Sequence, residues 1–520
     1  MKSRLDVSWW WQQRWLWLFL IIGCAVRFFN LPESLYFTYD QGRDAYAIQR
    51  IVRGDLTLIG PTTGLEGFFT GPAWYYAGVP GYILGAGNPY IISAWYVALA
   101  ALALPFYWLC AHRLFPKSET TAQICAYALA LVPGSITASL MIWNPLLTLP
   151  LVAISLWLLI GKQADENWIG QVLAFFLLGL GLHAEFASIA FILAPLFLLK
   201  AWQWGRARWF TTMGAAVAVG LTLLPQFLFD LRHNWLLTNS LWKALSQPSI
   251  EPQPWLEHLP NRIGQMWQAT AAILTGDSWA SQSALAVLFI FFILGAAHIW
   301  CNRRTTEGRG WYLLLFLALV PYPLYLFWRG NHGYFWDHYL TSQFLFLVPV
   351  IVLGAQRSWA SLRAMPTLRV ALVAVGVGWS VLAGNHLWHR VVSPNNQAGL
   401  AVMDQAVQLA LKTNGKNLLV GDSHRQELAV LVYTPNVYTD HYRYLLEWRA
   451  RTMNLRVPLA TRELNTQKWV TIIEPDYQIP ERVQPWYYEA TKMGKLNTSQ
   501  KVGHLQVETW TTLDYRLQVW

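Results

Sequence analysis

Long apolar runs alternate with short polar stretches through the first three quarters of the chain. A run of about 17–25 apolar residues is long enough to cross a bilayer as a helix. About eleven are predicted, near residues 15–29, 91–110, 121–142, 145–160, 168–182, 186–199, 211–229, 282–300, 311–328, 341–356 and 370–387. The third and fourth are divided at Trp143-Asn144-Pro145, because the residue before a proline disfavours the helical region. Only His183-Ala184-Glu185 separates the fifth and sixth, which are short enough to form one broken element. The chain starts with a short basic stretch and then the first run, with no small-residue cleavage site. That reads as a retained signal-anchor helix.

After about residue 388 the pattern changes. A helical stretch (Ala398–Lys412), a strand-like run (Asn417–Gly421), a helix-like run (Arg425–Val432) and a second strand (Trp469–Ile473) follow one another. Val502–Trp510 then alternates with period two. The fold class predicted is a polytopic α-helical membrane protein with a small C-terminal α/β domain. The membrane catalytic domain is 1–387, with a long first loop at 30–90, and the soluble domain is 388–520.

Composition agrees with the pattern. The chain is 55% hydrophobic and only 13% charged, against roughly 25% charged in soluble domains. Its 31 tryptophans suit membrane–water interfaces. The net charge of +10 would suggest nucleic acid if it were clustered, but its placement tracks topology. With the N-terminus cytoplasmic and the runs alternating, the inside segments hold 15 Lys/Arg against 5 Asp/Glu, and the outside loops 7 against 11. The positive-inside bias fixes that orientation and puts loop 30–90 and the C-terminal domain outside. Arg27, near the outer end of the first run, is expected to snorkel. No other charge falls within a run, which argues against an ion-coupled carrier. Cys24, Cys110, Cys125 and Cys301 lie in or beside apolar runs, without the spacing of a zinc site or a disulfide framework.

The candidate chemistry lies in the outer loops. Tyr39–Arg53 opens with Asp40 and Asp44, and Ala45–Val52 repeats as an amphipathic surface helix. A helix cap and a first-turn dipole partner account for the two acids; a general base is the functional alternative. The stretch after it, rich in Gly, Pro and aromatics, is expected to make no regular helix. His183 and Glu185 sit between two runs and supply at most two groups to a metal, which is too few for a site. Asp230, Arg232 and His233 follow a run directly and read equally as capping groups. Trp328–Tyr339 brings Arg329, His332, Asp337 and His338 among aromatics. An arginine fork is suited to phosphate oxygens, so Arg329 is the leading phosphate ligand, with Arg232 and His332 behind it. Neither a P-loop nor a dinucleotide fingerprint is present.

Asp40-Gln41-Gly42-Arg43 after the first run, the helix that follows, Gly54-Asp55, Gly60-Pro61 and Phe68-Phe69-Thr70-Gly71-Pro72 together resemble the GT-C superfamily of integral-membrane glycosyltransferases. The likeness is nearest to the branch of protein O-mannosyltransferases and lipid A aminoarabinose transferases. It covers the whole layout, with motif-level likeness only in the first ninety or so residues. It implies a sugar moved, usually with inversion, from a polyprenyl-phosphate carrier to an acceptor on the extracytoplasmic face. Asp40 inherits the role of base, and Asp44 a supporting one. The family often has Asp-Glu where this chain has Asp40-Gln41, and Lys before Pro where it has Gly71-Pro72. Those departures bear on the phosphate contacts and on any divalent metal, which the sequence does not specify.

The function expected is therefore inverting glycosyl transfer in the inner membrane. The partners are a polyprenyl-phosphate-linked sugar, membrane lipid, and a protein, lipid or glycan acceptor, with no nucleic acid. The rivals are a flippase of lipid-linked sugars, which leaves the donor chemically intact, and a non-catalytic scaffold.

Overall fold

The computed structural model describes residues 13–160, 166–246, 254–276, 278, 280–328, 335–394, 399–415, 429–435, 438–453, 468–492 and 494–512. Seven helices among them are long and apolar enough to cross a membrane: Pro89–Leu114, Phe186–Trp204, Arg206–Arg232, Ser281–Asn302, Gly308–Phe327, Phe344–Ala364 and Pro366–Val392. The bent pair Glu119–Leu131 and Pro133–Leu140 makes an eighth if it is one span. The remaining predicted runs fall on the shorter helices Arg14–Phe28, Asn144–Leu159 and Trp168–Ala184. The helices expose apolar side chains, as lipid contact demands: Val370, Val373, Val377 and Val381 form an exposed stripe along 366–387. A soluble helix would turn that stripe inward.

The chain divides into two compact units. The first holds Met1–Phe29, Leu56–Ala77 and Tyr96–Ser393; the second holds Asn30–Asp55, Gly78–Trp95 and Pro394–Trp520.

In the first unit the bent span shows how sequence sets local structure. Val132 precedes Pro133 and is driven out of the helical region (ψ 137°). The helix stops, restarts with proline in its first turn, and turns by 43°. The break frees the Ala130 carbonyl, which accepts a hydrogen bond from Arg27 Nη2 at 3.2 Å. Arg27 also donates to Ser135 Oγ (2.8 Å), Ser139 Oγ (3.0 Å) and the Gly23 carbonyl (3.0 Å). The expectation that Arg27 snorkels is thus wrong: it is fully buried. The broken helix gives its charge enough acceptors to stay inside, since a buried charge must be matched by partners.

The second unit is built on a four-stranded sheet of order β1-β2-β4-β3, comprising Ala429–Tyr433, Lys468–Ile473, Gly494–Val502 and Leu505–Thr512. β1 and β2 run parallel; β4 is antiparallel to both β2 and β3. Gly503, at φ +60°, makes the tight β3–β4 turn. Trp469 and Trp510 stack at the centre, 6.4 Å between centroids. Helices Leu400–Gly415 and Asp440–Thr452 accompany the sheet. The predicted 398–412 helix and the strands at 469–473 and 502–510 correspond to these elements. The helix expected at 425–432 is strand from Ala429: its β-branched, half-buried residues pair in register with 469–473. The strand expected at 417–421 lies outside the described residues. Helix Asp440–Thr452 was not anticipated.

The first loop also differs from expectation. Its helix begins at Tyr39 rather than Ala45, and the aromatic stretch continues into a regular helix, Ala73–Gly85. The loop 230–281 contains two helices, Leu236–Ser246 and Trp255–Thr275.

Candidate functional site

The first cluster belongs to the second unit and is set by how the 39–52 helix starts. Thr38 is its N-cap, in extended backbone. The Thr38 N–H and hydroxyl both donate to Gln41 Oε1, at 2.6 and 2.8 Å, forming a capping box. Asp40 is therefore not the cap, and Asp44 lies a turn beyond the first. With the cap supplied by Thr38 and Gln41, both carboxylates are left for Arg43. Its Nη1 meets Asp40 Oδ1 at 2.9 Å; its Nε and Nη2 donate to Asp44 Oδ1 at 2.9 and 2.8 Å. Asp44 is buried, whereas the Asp40 side chain keeps 29% exposure. The helix's positive end favours a carboxylate there. Arg43 stands 5.7 Å over the Tyr39 ring. Burial, and then the neighbouring Asp40 carboxylate, push the Tyr39 hydroxyl up.

The second cluster belongs to the first unit. Glu185 separates helices Trp168–Ala184 and Phe186–Trp204 and caps the latter, accepting from the Ala187 N–H at 3.3 Å. Its Oε2 lies 3.5 Å from His338 Nε2. His338 packs edge-on to Trp143 (4.7 Å) and Tyr339 (4.8 Å). Burial favours the neutral form of each: the Glu185 carboxyl is pushed up to about 8 and the His338 imidazole down to about 4.

His183 faces elsewhere. Its Nε2 donates to the Thr222 carbonyl at 2.7 Å, leaving Nδ1 a buried acceptor without a partner among the described residues. Its ring lies on Gly71, where a Cβ would come 2.3 Å from His183 Cγ. The aromatic–Pro loop is thereby seated on the 168–184 helix. A Thr62–Phe69 bridge, the Gln226 amide on the Phe69 carbonyl (3.2 Å) and a Phe68–Phe186 ring contact (5.0 Å) complete the seat.

The other predicted residues are dispersed. Asp230 is buried and holds the start of the 236–246 helix, accepting from Leu237 N–H at 2.6 Å and the Thr238 hydroxyl at 2.6 Å; capping is its role. Arg232 and Asp337 are exposed. Arg329 and His332 lie outside the described residues. Arg262, not singled out from sequence, is 1% exposed; its Nη2 donates to the Trp328 carbonyl at 3.2 Å and its guanidinium stands 5.4 Å over Phe335. One sequence cue was available: Arg262 is the only arginine in the apolar-faced stretch 254–276. Among the described residues no three His, Cys, Asp or Glu gather as a metal would require.

The fold is that of a multi-span helical membrane protein with a small C-terminal sheet domain. Its solved counterparts include ArnT from Cupriavidus metallidurans in the apo state (13% identity) and the same protein bound to undecaprenyl phosphate (15% identity). Each likeness covers 96% of this chain and 98% of that one, with a TM-score of 0.58. At such identity the likeness speaks for the fold alone. No protein-family model matches the chain, and no curated protein matches it.

Proposed function

We propose that this chain is an integral-membrane glycosyltransferase that takes a sugar from a polyprenyl-phosphate carrier, with inversion, and uses Asp40 as general base. The observation that carries the reading is the fold shared, over 96% of the chain, with a protein solved in complex with undecaprenyl phosphate. The charge bias supports a cytoplasmic N-terminus, with loop 30–90 and the C-terminal segment on the extracytoplasmic side.

In the reaction, an acceptor hydroxyl or amine attacks the anomeric carbon and its proton passes to the Asp40 carboxylate. The bond from the anomeric carbon to the phosphate oxygen breaks, and its electron pair leaves with the lipid phosphate. Arg43 holds the Asp40 carboxylate in place through Oδ1. A cation must meet the charge that develops on the leaving phosphate. Arg329 is the candidate from sequence, with Arg232 and His332 behind it. Arg262 joins them, because a buried arginine remains protonated. Asp44, ion-paired and buried, is a support for Arg43. His183, Glu185, Asp337 and His338 are assigned to binding the sugar or shaping its surroundings.

The test uses purified full-length protein in lipid nanodiscs. It is offered synthetic undecaprenyl-phosphate-linked mannose, glucose, arabinose and aminoarabinose together with cell-envelope extract. A transferase releases undecaprenyl phosphate from at least one donor. A flippase moves the donor between leaflets and leaves all four chemically intact, and that outcome would sink the proposal.

A further inference from the structure

We propose that the C-terminal segment is a working part of the transfer site, because its 440–452 helix fixes the position of Asp40. The inference rests on Asp40 being the base. The 39–52 helix is laid along the 440–452 helix, and the backbones come close at Gly42, two residues from Asp40. A Cβ at Gly42 would stand 2.4 Å from the His441 backbone nitrogen and 2.5 Å from both the Asp440 carbonyl carbon and His441 Cα. These are backbone atoms, which cannot swing aside as the end of a side chain can. Any side chain at position 42 therefore drives the turn that carries Asp40 away from its seat. Aromatic contacts hold both sides of this seat. Tyr39 packs on Tyr438 at 5.7 Å, and Tyr46 meets Tyr444 edge-on at 5.3 Å. Arg443 stands 5.8 Å over the Tyr46 ring.

The 440–452 helix is itself anchored. Tyr442 donates to Glu474 Oε1 at 2.8 Å, and His441 Nε2 lies 3.8 Å from the same oxygen. Glu474 directly follows β2, and its N–H donates to the Tyr433 carbonyl at the end of β1. Burial alone would raise the Glu474 carboxyl, but its bonds to His441, Thr434 and Tyr442 hold it below the usual range. Tyr444 donates to the Gly87 carbonyl at 2.7 Å, and Arg449 forks onto both oxygens of Asp404. A continuous set of contacts runs from the sheet through Glu474 and the 440–452 helix to Gly42 and Asp40. Regular elements locked by such supports hold a reacting group better than a loop does. Gly42 and Tyr438 are thus positioning residues for the base.

The experiment measures kcat, donor KM and undecaprenyl-phosphate affinity for the full-length protein and its Gly42→Ala, Tyr438→Ala, Tyr438→Phe and Asp40→Asn variants. Displacing a catalytic group by about an ångström costs on the order of a hundredfold in rate. Gly42→Ala is expected to lose about that much kcat, with undecaprenyl-phosphate affinity unchanged. Tyr438 is 64% exposed, so its replacement tests the idea even where Gly42→Ala does not fold. Tyr438→Ala is expected to lose about tenfold in kcat at constant KM, and Tyr438→Phe to restore it. Wild-type kcat in Gly42→Ala and Tyr438→Ala beside an inactive Asp40→Asn overturns the positioning role and leaves the base standing. An active Asp40→Asn overturns both. A parallel loss of kcat and lipid affinity in Tyr438→Ala marks a general structural defect and overturns the positioning role.

Discussion

Asp40 and Glu185 are both carboxylates at the start of a helix, yet their surroundings are opposite. Asp40 is partly exposed and its charge is met by Arg43 at 2.9 Å. Glu185 is buried, has an imidazole as its neighbour at 3.5 Å, and is held to its protonated form by burial. A base that accepts a proton in each turnover must start as a carboxylate and be reachable. Asp40 is reachable, its side chain 29% exposed beside Arg43. Glu185 meets neither near neutral pH, and suits hydrogen-bond donation or a structural pairing with His338. Residue type alone does not separate the two carboxylates; the nearest cation and the solvent do.

The largest expected effect breaks this comparison directly. Asp40→Asn is expected to lower the transfer rate by about 10²–10⁴-fold, whereas Glu185→Gln, which keeps the neutral shape, is expected to lower it far less at neutral pH. Equal losses in both variants would erase the distinction. Next comes the phosphate. Arg262→Ala is expected to raise donor KM by about tenfold, and Arg262→Lys to recover only part of it, since lysine lacks the planar fork. Steady-state kinetics with the accepted donor measure both.

The pH dependence of stability sharpens the contrast. Glu185 keeps its proton up to about 8 when folded, whereas an unfolded glutamate loses it near 4.5. Its contribution therefore falls as pH rises through that interval. His338 refuses a proton until about 4, whereas an unfolded histidine takes one at 6.5. Stability therefore also falls as pH drops from 6.5 towards 4. The two slopes offset one another between 4.5 and 6.5, so thermal unfolding in detergent should show the alkaline decline in the wild type, and Glu185→Gln should remove it and uncover the acid one. The smallest expected effect concerns the cap. Gln41→Ala removes the acceptor of two Thr38 hydrogen bonds and is expected to cost about 1 kcal/mol, read from the unfolding midpoint, with Asp40 still in its turn.

How much of this was legible in the sequence depends on the kind of information. Apolar runs decide where helices form in a membrane, and every predicted run is helical. Proline positions gave the 143–145 break, and the Val132–Pro133 bend follows the same rule. Arg27 misled because a charge at a helix end ordinarily reaches water; apart from the Gly23 carbonyl, the acceptors that keep it inside come from residues more than a hundred positions away. The carboxylates were open to two readings, cap and base. Spacing allowed Asp40 to be a cap, while Thr38 and Gln41 take that task through a three-residue pattern visible in the chain. The Glu185–His338 pair, the seat of His183 on Gly71, and Gly42 against His441 are contacts between distant segments, to which local periodicity is blind. Arg262 had only its isolation in the stretch 254–276 to mark it, and its partners Trp328 and Phe335 lie more than sixty positions away.

The central claim, that Asp40 removes a proton from the acceptor, is tested most directly by an anionic nucleophile that has no proton to lose. Asp40→Ala is supplied with the accepted lipid-linked sugar and azide, and the product is identified by mass and by the configuration at its anomeric carbon. The account predicts a glycosyl azide of inverted configuration, formed by Asp40→Ala far faster than that variant transfers sugar to the natural acceptor. Absence of azide rescue, or a product of retained configuration, would contradict it.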